Sequence, residues 1–203
     1  MREETFKVVN IKEIEDEDFV KKEIDRVREV ITEDNFDVFS EDAPYILYFA
    51  YGIDLTSKDI HYSLCYCQGD GFCFDYEDFL YNKYFRDKVN KELTKGEKIS
   101  LSKMIKDGLK IISKNDCHYG YCYASANDIG VDFENWEYSK TTEKQDKIIE
   151  KVKKIITSEY LSICKELENE GYKCYEVSDE DCSDFMIENE YEYIKTGGGY
   201  VRI

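Results

Sequence analysis

The chain holds one proline, two histidines and no apolar run of membrane-spanning length, and each scarcity removes a class of reading. With Pro44 alone there is no proline-rich linker, and no internal repeat or low-complexity stretch divides the sequence, so one compact body over residues 1–203 is expected. His61 and His118 are the only imidazoles, which leaves little for acid–base catalysis. The N-terminal stretch MREETFKVVNIKEIEDEDF is acidic and lacks an uninterrupted apolar core, so no signal peptide is expected and the cytoplasm is the expected location.

Basic charge is also short. Against 45 acidic residues stand 28 lysines and arginines, a formal charge of −17, which repels nucleic-acid phosphates and anionic membranes. The lysines are scattered among acids, and the densest run, Lys151, Lys153 and Lys154, falls on the solvent side of a helical pattern. Direct nucleic-acid and membrane binding are therefore not expected. A basic protein surface is the expected partner.

Also missing is the C-x-x-C spacing that aims two thiolates at one zinc ion. There are 8 cysteines, which in a reducing compartment read as free, packed thiols. Neither a metal nor another cofactor is expected.

What is present is a folding composition: 42% hydrophobic residues and 15% aromatics, chiefly tyrosine. FKVVNI (6–11) predicts a short strand, and Asp16 caps a helix from Glu17 on which Phe19, Val20, Ile24, Val27 and Ile31 share a face. APYILYFAYG predicts a separate short helix, with Pro44 near its start and Gly52 at its end. Strands are expected at 59–67, 72–76, 109–113, 117–125 and 128–134, and the simplest assembly is an antiparallel meander of about five strands. From Thr142 to Glu170 the stripe Ile148, Val152, Ile155, Ile156, Ile163 and Leu167 predicts a long amphipathic helix stopped by Gly171. Ser178 caps a helix to about Asn189, and YEYIKTGGGYVRI closes as two short strands. The expected class is α+β: a small antiparallel sheet covered by a long amphipathic helix and shorter helices.

SLCYCQGDGFCFDY, residues 63–76, is the most distinctive stretch. A phosphate cradle would lead its glycines into a helix, whereas Gly69-Asp70-Gly71 leads into an aromatic strand and Asp70 repels phosphate. A tight hairpin fits: glycine supplies positive φ and Asp70 bonds the turn. Pairing Cys67 with Phe72 would put Cys65, Cys67, Phe72 and Phe74 on one face and Leu64, Tyr66 and Cys73 on the other, so the thiols would not converge. The turn does not require Gln68, so Gln68 and Asp70 are candidate ligand or partner residues, with His61 and His118 beside them. A small-molecule or nucleotide site at this turn, or a hydrolase built on a histidine and a nearby carboxylate, are the readings of other classes.

Acidic residues gather towards the C-terminus. Glu166, Glu170, Asp179, Glu180, Asp181, Asp184 and Glu188 are candidates for an acidic surface that either keeps the chain soluble or imitates a phosphate row in a basic groove.

The order of these parts resembles a set of uncharacterised phage and prophage proteins. The resemblance rests on an acidic lead-in helix, Gly52 to Asp54 before a strand, and the Ser63 to Phe74 hairpin with its QGDG tip. It extends through the tyrosine-rich Cys117 to Phe133 segment to SDEDCSDFMIENEYEY from Ser178 to Tyr193. It implies origin on a mobile element and an accessory role. The expected function is protein–protein binding to a host or defence-system protein, with anti-CRISPR or anti-restriction inhibition as the concrete form, inside the host cell.

Overall fold

The computed structural model describes residues 7–65, 70–114, 122, 128–133 and 141–203. Its class is α+β, as the periodicities predict. The chain divides into two compact units, one made of residues up to Val38 with Lys173–Ile203, the other of Phe39–Tyr172. The first helix, α1 (Glu17–Tyr51), contributes to both.

In the first unit, β1 (Val8–Val9) pairs antiparallel with β6 (Tyr193–Thr196), which pairs with β7 (Gly199–Arg202), giving the order β1-β6-β7. Helix α5 (Asp179–Glu188) begins at the expected cap, where Ser178 Oγ accepts the Asp181 N–H at 3.1 Å. Ile11, Ile14, Ile24, Val27, Cys182, Met186 and Tyr193 are buried together. Tyr193, from the NEYEY block, is a core residue: its ring meets Phe19 edge-on at 5.6 Å and its hydroxyl donates to Glu23.

The second unit holds β2 (Ile60–Ser63), β3 (Gly71–Phe74), α2 (Lys83–Glu92), α3 (Lys95–Lys106), β4 (Leu109–Lys114), β5 (Asp128–Phe133) and α4 (Glu143–Tyr172). Among the described residues the strands of the expected meander form two pairs, β2-β3 and β4-β5, tied by a bridge between Tyr76 and Ser113. The strand expected at 117–125 lies almost entirely outside the described residues. Helix α4 is the expected long helix; it packs against β3, α2 and α3, and of its stripe Ile148, Val152, Ile156, Ile163 and Leu167 are buried and Ile155 half-buried.

Three local expectations are corrected. The two N-terminal helices are one: α1 runs through Pro44, with Ala43 and Leu47 fully buried, so tertiary packing holds the helix across a residue that cannot donate to the Ser40 carbonyl. Gly171 does not stop α4 but lies inside it, because a Cβ there would come within 2.3 Å of Leu64 Cδ1 and 3.1 Å of the Phe39 ring. The hairpin register is shifted. Ser63 pairs with Gly71 and Tyr62 with Phe72, so Ile60, Tyr62, Phe72 and Phe74 share a face, the reverse of the expected parity.

β3 is buried throughout, and its last residue is satisfied from α4. The Tyr160 hydroxyl accepts the Phe74 N–H and donates to the Phe74 carbonyl, each at 3.0 Å, while Ser113 Oγ donates to the same carbonyl. Burial raises the Tyr160 phenol far above its ordinary value, so it stays protonated and able to donate. Tyr160→Phe strips a buried N–H of its acceptor, and urea unfolding should show a loss of about 1–3 kcal/mol; an unchanged midpoint and slope would contradict this role.

Candidate functional site

The QGDG hairpin yields a different site from the one its sequence suggests. Asp70 does not present its carboxylate outward: one oxygen accepts from Ser63 Oγ at 3.1 Å and the other from the Tyr172 hydroxyl at 3.1 Å. These bonds fasten the end of the 64–70 connection to β2 and to the last turn of α4. Gln68 and His118 lie outside the described residues. Cys65 is exposed and Cys73 buried, so these two thiols meet different environments, and Cys67 lies outside the described residues. Among the described residues no three of His, Cys, Asp and Glu are grouped to hold a metal ion.

His61 does find a carboxylate. Its Nε2 lies 3.5 Å from Asp75 Oδ2, both side chains about one-third exposed. Asp75 is positioned by its own N–H donating to the Asp59 carbonyl at 2.8 Å. The Asp59 carboxylate is held below its ordinary range, first by the Thr56 hydroxyl and then by the Thr56 N–H. Ser63, two residues along, turns its hydroxyl to Asp70 rather than to His61.

The acidic candidates separate. Glu166 and Glu170 belong to α4, whereas Asp179, Glu180, Asp181, Asp184 and Glu188 belong to α5 in the other unit. Three of the α5 carboxylates have partners: Asp179 pairs with Arg28, Asp184 with Lys12 at 2.8 Å, and Asp181 accepts from the Ser178 hydroxyl and N–H. The last of these holds Asp181 below the usual carboxylate range. Glu166 holds the Tyr51 phenol up, after burial.

The end of α1 carries the feature that sequence reading missed. Tyr45, Tyr48 and Phe49 are 62%, 52% and 80% exposed while Ala43 and Leu47 on the other side of the helix are buried. Tyr48 and Phe49 meet edge-on at 5.3 Å, and with Glu41, Pro44, Asp54 and Ser57 these rings line a cleft of about 690 Å³. Both walls are fixed. Gly52, at φ +65, ends the helix as its N–H donates to the Tyr48 carbonyl. The buried Asn82 donates Nδ2 to the Tyr51 and Gly52 carbonyls at 3.1 and 2.7 Å, and its Oδ1 caps α2. The Thr56 and Asp59 bonds secure the 54–57 wall.

The signal for this face is in the sequence, in charge of one sign. Between Arg28 and Lys58 there is no lysine, arginine or histidine, against seven acids: Glu29, Glu33, Asp34, Asp37, Glu41, Asp42 and Asp54. Positive charge is denser in two other segments: residues 95–114 and 144–157 carry eleven of the 28 lysines and arginines against four acids, on and next to α3 and α4. Those helices pack together, with Lys151 Nζ 3.4 Å from Glu97. The surface charge is polarised rather than uniformly negative.

Asp70→Ala should lower urea stability by about 1–3 kcal/mol, the cost of freeing the Ser63 and Tyr172 hydroxyls; a fully stable variant would return Asp70 to the ligand candidates. No helix among the described residues is long and apolar enough to cross a membrane. No protein-family model matches the chain, and comparison with curated proteins and with solved structures finds no match either.

Proposed function

We propose that the protein works by docking on a basic surface of another protein, with inhibition of a host defence system, CRISPR or restriction, as the concrete form. One observation carries this reading: three large aromatic side chains exposed side by side on a braced helix end, among carboxylates and with no cation in the 29–57 stretch. Exposed aromatic anchors dominate binding energy at interfaces, and surrounding charge of one sign selects and steers a partner of the other. A face of this kind costs solubility unless it is covered in use.

The resemblance to phage and prophage proteins supports a host defence protein as the partner, and such proteins expose basic surfaces where they hold nucleic acid. The C-terminal acidic series is the weaker docking candidate. Asp179, Asp181 and Asp184 already have intramolecular partners, and Glu166 and Glu170 are on a helix of the other unit.

The test compares three baits in lysate of phage-infected, defence-carrying cells: the wild-type chain, Tyr48→Ala/Phe49→Ala, and Glu180→Gln/Glu188→Gln. A partner held in near-stoichiometric amount by the wild type should fall at least tenfold with the aromatic variant and persist with the other. Equal capture by the aromatic variant would contradict the reading.

A further inference from the structure

We infer that the cleft beside Pro44 is an arginine site, which takes a guanidinium presented by a basic segment of the partner; this rests on the docking reading above and names what it recognises. The cleft offers a cation two kinds of surface. Tyr45, Tyr48 and Phe49 supply aromatic rings, and Glu41 on α1 and Asp54 just beyond its end supply carboxylates among the lining residues. A cation over an aromatic ring gains from the ring quadrupole, and a nearby carboxylate adds its own Coulomb attraction.

Pro44 adds a third acceptor. In an unbroken α-helix the carbonyl of Ser40 would accept the N–H of residue 44, and proline has none to give. Ser40 and Pro44 both line the cleft, so the carbonyl that lacks its regular helical donor belongs to a lining residue, next to Glu41 in the chain. Among the described residues no cationic side chain lines the cleft to compete for these acceptors, and Arg28 and Lys58 are the flanking cations in the sequence.

Several acceptors among exposed aromatic rings suit guanidinium better than ammonium. Guanidinium is planar, carries donors around its edge, stacks on rings and gives up its hydration more readily, whereas ammonium is a compact, strongly hydrated point charge. At about 690 Å³ the cleft also admits the residues flanking the arginine, as an extended basic segment requires. Phe49, at 80% exposure, is the ring whose loss least disturbs the fold.

The test is fluorescence anisotropy with labelled nona-arginine and nona-lysine at 150 mM salt, on the full chain and on Phe49→Leu, Tyr48→Ala and Glu41→Gln/Asp54→Asn. Each variant is first checked by urea unfolding against the wild type. The wild type should bind nona-arginine at least fivefold tighter than nona-lysine. Phe49→Leu, which keeps apolar bulk and removes the ring, should abolish that preference, and the carboxylate variant should weaken both peptides several-fold. Equal affinity for the two peptides, or a preference that survives Phe49→Leu, overturns the arginine site. The docking reading fails separately, by the wild type and the Tyr48→Ala/Phe49→Ala bait retaining the same cellular partner.

Discussion

One phenol hydroxyl holds the architecture of the larger unit together. Tyr160 reaches from the buried side of α4 to bond both backbone groups of Phe74, the last residue of β3. The Phe74 carbonyl also takes the Ser113 hydroxyl, and Ser113 exchanges backbone bonds with Tyr76. Through those few atoms α4, the β2-β3 hairpin and β4 share one polar junction inside an otherwise apolar core. A low-dielectric junction of this sort is stabilising only when every member is satisfied. From it the chain runs to Asn82, whose side chain ties the end of α1 to the start of α2 and so fixes the helix end on which the aromatic face is displayed.

Periodicity made α4, α5, β4, β5 and the terminal hairpin legible, because in each an apolar spacing agrees with a local cap or turn. It failed where a distant residue decides. Pro44 reads as a helix start by its own chemistry, and only the burial of Ala43 and Leu47 carries the helix past it. Gly171 reads as a stop, yet it is there because Leu64 and Phe39 need the space a side chain would fill. Tyr160 is one tyrosine among 18, and nothing in its neighbourhood along the chain announces that its partner is 86 residues away.

The candidate site was legible in the wrong place. Aspartate at a glycine-rich tip invites a ligand, but Asp70 is spent on Ser63 and Tyr172, whose approach comes from strand pairing and from the end of α4. The acidic series looks continuous as text, and folding divides it between two helices of different units and pairs off much of it. By contrast, the long stretch without a single basic residue is written in the sequence itself, although the basic residues read as scattered along the chain. Its meaning depends on which side of α1 is buried, and that is a tertiary fact: an apolar helix end reads as core until Tyr45, Tyr48 and Phe49 are found on the outside.

The account therefore rests on polarity of charge as much as on total charge: lysines on α3 and α4, carboxylates and rings at the end of α1. Hydrogen exchange of the protein alone and in complex with its captured partner, read peptide by peptide, tests this most directly. The account predicts protection on binding over residues 40–57 and none over 179–192. Protection confined to 179–192, with 40–57 unchanged, would contradict it.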